Sequence, residues 1–342
     1  MTLRLAVYNI EWFTKLFLAD NSLRQDSDSQ HRIAALASVL TTLDADVVGV
    51  VEAPDTAISS DRDTVTALEG FAAAAGLRAR QAVHGYRARG QQELALLIAP
   101  DRVTARHMPG GQVDAAWPPF DEEFRVDTDQ DGIQEIYTHA RPPLEAEIAA
   151  ADGAAPFEPF RLMLVHAKSK GIFDRMDFVH WQRASAANRR KLFAECLSIR
   201  ARADAWLGEG HDVIVMGDIN DGPGMDGHEA RFGRSAVEMI MGDLFAPNRI
   251  LTSHSGPPRY GDFGWTPATS NFRDTLTGDR VNVMIDHILA SADIMPAENG
   301  AGPAHKVWNP YEFGPAELIG DALKDASDHF PVTLDIDRHT AG

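Results

Sequence analysis

The chain has 342 residues, 44% of them hydrophobic, and its 50 acidic against 32 basic side chains give a net charge of −18. Such an acidic balance argues against tight, non-specific nucleic-acid binding through phosphate neutralisation, but not against a nuclease that binds briefly with a cation supplying local positive charge. Cys196 is the single cysteine, so an internal disulfide is excluded; no apolar run of about 18 residues marks a membrane span; and the opening MTLRLAVYNIEWF lacks a signal-peptide pattern, so a cytoplasmic protein is expected.

In chain order, residues 3–8 alternate as a strand does, and 31–43 place Ile33, Leu36, Ala37 and Leu40 at helical spacing. Residues 46–51 form a strand running into Glu52, 63–75 an Ala-rich helix, and 80–84 and 94–98 two more strands. The stretch DTDQDGIQE at 127–135 starts like a calcium loop through Asp127, Asp129 and Asp131, but Thr138 stands where a bidentate Glu belongs. Asp131-Gly132 reads equally as a hairpin turn between strand-like flanks, and the hairpin is the favoured reading. An apolar strand at 160–165 ends on His166, a long helix covers 181–207, and a β-branched strand follows at 213–216. Residues 225–280 read as long loops around one helix at 236–241; they and 105–160 are expected to hold substrate recognition. Late strands are expected at 283–290 and 331–336. No repeat or linker interrupts the chain, so 1–342 is read as a single domain. Its elements suggest a layered α/β fold rather than a simple doubly wound sheet.

The strands share a peculiarity. LAVYN ends on Asn9, VVGVVE on Glu52, RLMLVH on His166 and VIVMGDIN on Asp218 and Asn220; VMIDHIL carries Asp286, and SDHFPV opens on Asp328 and His329. One polar strand end is ordinary, but this set together has a chemical meaning. On an extended chain Asp218 and Asn220 point the same way. Carboxylate and amide oxygens suit a hard divalent cation, Mg²⁺ or Mn²⁺, while the lack of thiolate ligands and of a helical histidine pair argues against zinc. Histidines beside carboxylates suit proton transfer and stabilisation of a charged transition state. There is no GxxxxGK[ST] loop, GxSxG elbow or GxGxxG turn. Metal-assisted attack of water on phosphorus fits this inventory best.

The ordered blocks LAVYNIEWF, VVGVVEA, LMLVHAKSK, VIVMGDINDGPG, VMIDHILAS and SDHFPV resemble the endonuclease/exonuclease/phosphatase, or deoxyribonuclease-like, superfamily over nearly the whole chain. The resemblance implies an α/β fold: a four-layer α/β sandwich of two packed mixed β-sheets flanked by helices, hydrolysing phosphate esters with Mg²⁺ or Mn²⁺. It implies Glu52 as the principal metal ligand with Asn9 beside it and Asp328 nearby. By the same motifs, Asp218 orients or deprotonates water and Asn220 holds a phosphate oxygen. His329 stabilises the transition state, Asp286 orients and charges it, and His166 contacts phosphate or protonates the leaving oxygen. Glu93 precedes a strand, as does the family acid that pairs with the first catalytic histidine, or is a solvated strand-end Glu; Arg141 resembles a family Arg-Pro-Leu block near the site, or is a turn residue before Pro142; and Lys168 contacts phosphate as a point charge or sits on the surface. His84, His180 and His287 receive no role. The expected activity is a nuclease-type phosphodiesterase with a phosphate-ester substrate, transient nucleic-acid binding and no inferred protein partner. The rivals are a phosphomonoesterase or phospholipid phosphodiesterase on the same site, and a catalytically silent binding module.

Overall fold

A computed structural model describes residues 1–56, 61–114, 116–129, 131–172, 177–227, 229–254, 268–273, 278–297, 304–311 and 319–338. In chain order the elements are β1 (Thr2–Asn9), α1 (Ser27–Leu43), β2 (Val47–Ala53), α2 (Thr64–Ala75), β3 (Gln81–His84), β4 (Glu93–Ile98), β5 (Val103–His107), β6 (Phe124–Val126), β7 (Glu135–Tyr137), β8 (Leu144–Ala150) and β9 (Phe160–His166). They continue with α3 (Phe178–Gly208), β10 (Val213–Asp218), α4 (Ala236–Met241), β11 (Leu251–Ser253), β12 (Ser270–Arg273), β13 (Arg280–Val283), β14 (Asp286–Ser291), β15 (Met295–Pro296), β16 (His305–Val307), α5 (Gly320–Ala326) and β17 (Val332–Asp337).

Period-two patterning sorts the side chains into layers. Along β1, Leu3, Leu5 and Val7 point into a core between two sheets, while Ala6 and Tyr8 face α1, α2 and α5. Along β10, Ile214 and Met216 enter the same central core, and Val213 and Val215 pack under α3 and α4. The result is the four-layer α/β sandwich. One sheet runs β15-β17-β1-β2-β4-β3 with β16 also on β17, and the other runs β11-β14-β10-β9-β8-β5. Each sheet has a parallel pair at its centre, β1 with β2 and β9 with β10, among otherwise antiparallel neighbours. Gly49 lets the sheets approach: a Cβ there would lie 2.6 Å from Leu164 Cδ1 and 2.8 Å from Met216 Cε. No helix among the described residues is long and apolar enough to cross a membrane.

Three expectations change. The interval 105–160, read as loops, contains β8, whose Leu144, Ala146 and Ile148 enter the central core. Its sequence LEAEIAA alternates correctly, but Ala and Glu favour helices, and only the neighbouring strands β5 and β9 fix it as a strand. The single strand expected at 283–290 is broken at Met284 and Ile285, so that β14 begins on Asp286. The long helix starts earlier than expected because Asp177 caps it, accepting from the His180 N–H at 3.0 Å. Within 225–280, α4 stands as expected, while 255–267 and 274–277 lie outside the described residues.

Candidate active site

Topology brings the strand ends together. Parallel registers set Asn9 against Val51 and Asp218 against His166, so these polar ends emerge on one edge of each sheet. The antiparallel strand β14 places Asp286 opposite Asp218. β17 pairs Val332 with Val7, and His329 just upstream bridges to Ser270 at the same edge. The two sheets are joined there by Asn9, whose Nδ2 donates to Asp218 Oδ2 at 3.0 Å. The edge opens into a cleft of about 1210 Å³ lined by Asn9, Glu52, His166, Asp218, Asp328 and His329, among others.

Three of the lining residues sit in left-handed backbone that non-glycine residues rarely adopt, Trp12 at φ 49°, Glu52 at φ 59° and Asn220 at φ 56°. Glu52 occupies an irregularity between Val51 and Ala53, where the pairing with β4 slips by one residue. That turn aims the carboxylate at the cleft, where Oε2 accepts the Trp12 N–H at 2.8 Å. Asn220 is a correction. The extended spacing that sets it on one face with Asp218 does not exist, because β10 stops at Asp218. Instead its N–H donates to Asp218 Oδ1 at 2.8 Å and its Nδ2 to the Ala167 carbonyl at 3.0 Å. The two still share the cleft, through a turn rather than through alternation. Gly217 just before them has φ 147°, and a Cβ would stand 1.9 Å from the Val165 carbonyl oxygen. Gly217→Ala is expected to destabilise the fold by roughly 1–3 kcal/mol through overpacking, read as a lower denaturation midpoint; an unchanged midpoint would show that the backbone there yields freely.

The electrostatics are strongly shaped by burial. His329 Nδ1 lies 2.8 Å from Asp286 Oδ2. Burial pushes the imidazole down, but the charge and hydrogen bond of Asp286 outweigh it and hold the pKa at about 10. Asp218 is raised to about 7, first by burial and then by the nearby Asp286 charge. His166 Nε2 is 3.5 Å from Asp218 Oδ2, yet burial, followed by the Arg141 charge, drives its pKa well below the ordinary range. His166 is therefore neutral at pH 7.

Three oxygens here, Asn9 Oδ1, Asp286 Oδ1 and Asp328 Oδ1, have no hydrogen-bond partner among the described residues. A buried oxygen without a donor is costly unless something cationic or protic meets it. The donors are hard, with no thiolate, so the set fits a cation of the Mg²⁺ or Mn²⁺ type. Ligand atoms of Asp218, Asp286 and His329 also fall within 4.8 Å of one another. That cluster is a second grouping of donors beside Asn9, Glu52 and Asp328.

Glu93 departs from expectation. It pairs with His84 (Oε2 to Nε2, 3.2 Å) and accepts the Ala88 N–H at 2.7 Å, rather than meeting His166, whose Nδ1 has no partner among the described residues. β4 enters from the far side of β2, so its first residue faces the β3 edge. Arg141 lines the cleft but also pins its wall, donating to the His166 and Ala167 carbonyls at 3.2 and 3.0 Å and to Gln92. Lys168 is half-buried, its pKa lowered by burial and then by Arg141, and its Nζ donates to the Ser169 carbonyl at 2.8 Å. His287 is not among the residues lining the cleft; its Nε2 meets the backbone carbonyl of Asp221, which is, at 2.8 Å.

Sequence reasoning missed the residues that hold this set. Ser327 Oγ donates to the Asn9 carbonyl at 2.8 Å and accepts the N–H groups of Glu11 and His329, tying β1 to the segment before β17. Thr269 Oγ1 accepts the Ile285 and Asp286 N–H groups, each at 3.0 Å, at the break that starts β14. The serine opening SDHFPV was the only available signal for the first, and nothing in the sequence points to the second.

The acidic stretch forms the expected hairpin, β6 with β7, with Val126 opposite Glu135. Its three carboxylates converge within 4.8 Å. However, Asp127 Oδ2 already accepts the Gly132 N–H at 2.9 Å, Asp131 Oδ1 the Ile133 N–H at 2.8 Å, and Asp129 faces Arg190. Raising Ca²⁺ is expected to leave the melting temperature unchanged. A calcium-dependent rise that disappears when Asp127, Asp129 and Asp131 are all changed to Asn would establish a calcium site instead.

The sequence pattern of the Endonuclease/Exonuclease/phosphatase family matches residues 6–329. No curated protein shows a sequence match to the chain. Among solved structures, TDP2 of D. rerio complexed with single strand DNA product is 14% identical, with a TM-score of 0.49, covering 98% of this chain and 99% of that one. An endonuclease/exonuclease/phosphatase family protein from Bacteroides thetaiotaomicron is 14% identical, with a TM-score of 0.47 and coverages of 100% and 99%. ANGEL2, a 2',3'-cyclic phosphatase, in complex with adenosine-2',3'-vanadate, is 12% identical, with a TM-score of 0.47 and coverages of 98% and 95%.

Proposed function

The chain belongs to the Endonuclease/Exonuclease/phosphatase family, and from that premise we propose a metal-dependent phosphodiester hydrolase of nuclease type. The family's enzymes hydrolyse phosphate esters and use divalent metals. The observation that carries the reading is the His329–Asp286 pair, 2.8 Å apart, opening onto a cleft that also holds Asp218 and donor-less oxygens. Asn9, Glu52 and Asp328 would hold the cation. Bound there, it supplies charge neutralisation at the phosphate and makes water easier to deprotonate.

The side chains then divide the work. Asp218, near pKa 7, is matched to accepting a proton from water at neutral pH. His329, held as imidazolium, meets the negative charge that gathers on the phosphoryl oxygens. Asn220 and Lys168 contact phosphate oxygens from beside the 167–169 backbone, Lys168 as a point charge. His166, neutral at pH 7, serves as a hydrogen-bonding contact to phosphate, because a ring with so low a pKa holds no labile second proton to give the leaving group. Arg141 keeps His166 and Ala167 in place through their backbone carbonyls.

A cleft of about 1210 Å³ exceeds what a small phosphomonoester needs and favours a polymeric diester. The test is turnover with Mg²⁺ or Mn²⁺ of plasmid DNA, single-stranded DNA, RNA, an aryl phosphodiester and an aryl phosphomonoester. Cleavage of nucleic acid and of the diester is expected. Hydrolysis of the monoester alone would replace this reading with a phosphatase, and no turnover together with no metal binding would replace it with a binding module.

A further inference from the structure

Outside the catalytic cleft, Thr128, Asp129, Arg189, Arg190, Arg231 and Phe232 line a second concavity of about 180 Å³. It lies where the β6–β7 hairpin crosses α3. Three guanidinium groups and the Asp129 carboxylate line it, with Asp127 and Asp131 gathered beside Asp129. The arginines are not equivalent. Arg189 is committed, with Nε 2.7 Å from Asp226 Oδ2 and Nη1 on Ser185. Arg190 makes one long contact, Nη1 to Asp129 Oδ2 at 3.3 Å. Arg231 is exposed and has no hydrogen bond or ion pair among the described residues. The Arg231 fork is thus open and the Arg190 fork is held by a single long contact, and the two guanidinium groups line one small space, as in sites that bind phosphate oxygens in pairs. At ~30 Å³ per water the space holds about six waters, enough for one phosphate group with part of its hydration.

Position gives the pocket a relation to the cleft. Asp226, the partner of Arg189, lines the catalytic cleft, so one ion pair forms the partition between the two spaces. The carboxylate on that partition is already neutralised, so a polyanion passing over it meets no unpaired negative charge. The geometry points to a second phosphate subsite: Arg190 and Arg231 take a phosphodiester of a polynucleotide whose scissile group sits in the cleft. The proposal rests on the nuclease reading above and adds to it that the enzyme grips its substrate away from the cut.

The test compares a long substrate with a short one. Arg190→Ala/Arg231→Ala is expected to raise KM for a single strand of about 20 nucleotides by about tenfold, and to flatten the salt dependence of binding by ~0.7 in log–log slope for each phosphate that is no longer neutralised. Hydrolysis of an aryl phosphodiester, too small to reach both spaces, is expected to stay within about twofold. Arg190→Lys/Arg231→Lys, which keeps the charge, is expected to retain part of the affinity. An unchanged KM for the long strand, or equal losses on both substrates, would overturn the subsite. Wild-type enzyme that turns over the aryl diester but no nucleic acid overturns the nuclease reading itself, and that result is seen before any variant is made.

Discussion

Asp286→Asn and His329→Ala are each expected to lower turnover by at least about a hundredfold, the scale of removing one strong electrostatic interaction with a transition state, and the double variant is expected to be scarcely worse than the poorer single one. The reason is that the two act as one cation. His329 Nδ1 sits 2.8 Å from a carboxylate that is itself buried, and the pair holds the imidazolium to about pH 10. Without the acid, burial lowers the ring's pKa against only the smaller upward pull of Asp218 and Asp328, so the charge is held less firmly. The activity of Asp286→Asn should therefore fall off on the alkaline side at a lower pH than that of the wild type. Stability follows the same sign. The folded-state pKa is raised from the ordinary 6.5 to about 10, so the pair's contribution is complete below pH 6.5 and is lost as pH rises through about 10. A double-mutant cycle checks the claim. Losses that simply multiply, or near-normal turnover in Asp286→Asn, would dissolve the pair.

Glu52→Gln carries the other large effect. The substitution removes a charge and hardly alters shape, so the fold and the Trp12 N–H hydrogen bond at 2.8 Å should survive. If this carboxylate holds the cation, its loss removes part of an effect worth several kcal/mol, and at 1.36 kcal/mol per decade turnover should drop by about a hundredfold or more. The Mn²⁺ concentration giving half-maximal rate should rise as well. A variant with unaltered metal dependence would shift the ligand role to the other donor grouping, Asp218, Asp286 and His329.

How far the sequence carried this picture depends on what each residue answers to. The strand at 3–8 was legible because it alternates, and that at 213–216 because a strand buried on both faces reads as a short β-branched apolar run. The helix at 236–241 was legible in position, and the structure adds its capping box at Ser235 and Glu238. β8 was not, because Leu144, Ala146 and Ile148 are set in a helix-favouring composition and become a strand only between β5 and β9. The polar strand ends were visible as residue types, and the structure gathers Asn9, Glu52, His166, Asp218, Asn220, Asp328 and His329 around one cleft with Asp286 behind His329. What no local pattern encodes is which side chains meet. Glu93 turned to His84 rather than His166, Asn220 reached the cleft by a left-handed turn, and Thr269 found the Asp286 backbone from a distant segment. The arginines of the second pocket come from α3 and from the segment after the cleft wall, so their convergence was equally silent in the sequence.

Dependence on a divalent cation is read from the hydrolysis rate of single-stranded DNA and of an aryl phosphodiester by enzyme stripped with EDTA, followed by titration with Mg²⁺ or Mn²⁺. No turnover of either substrate is expected in the stripped enzyme, with saturable recovery of both as the cation returns. Full activity of the stripped enzyme on either diester would contradict that dependence.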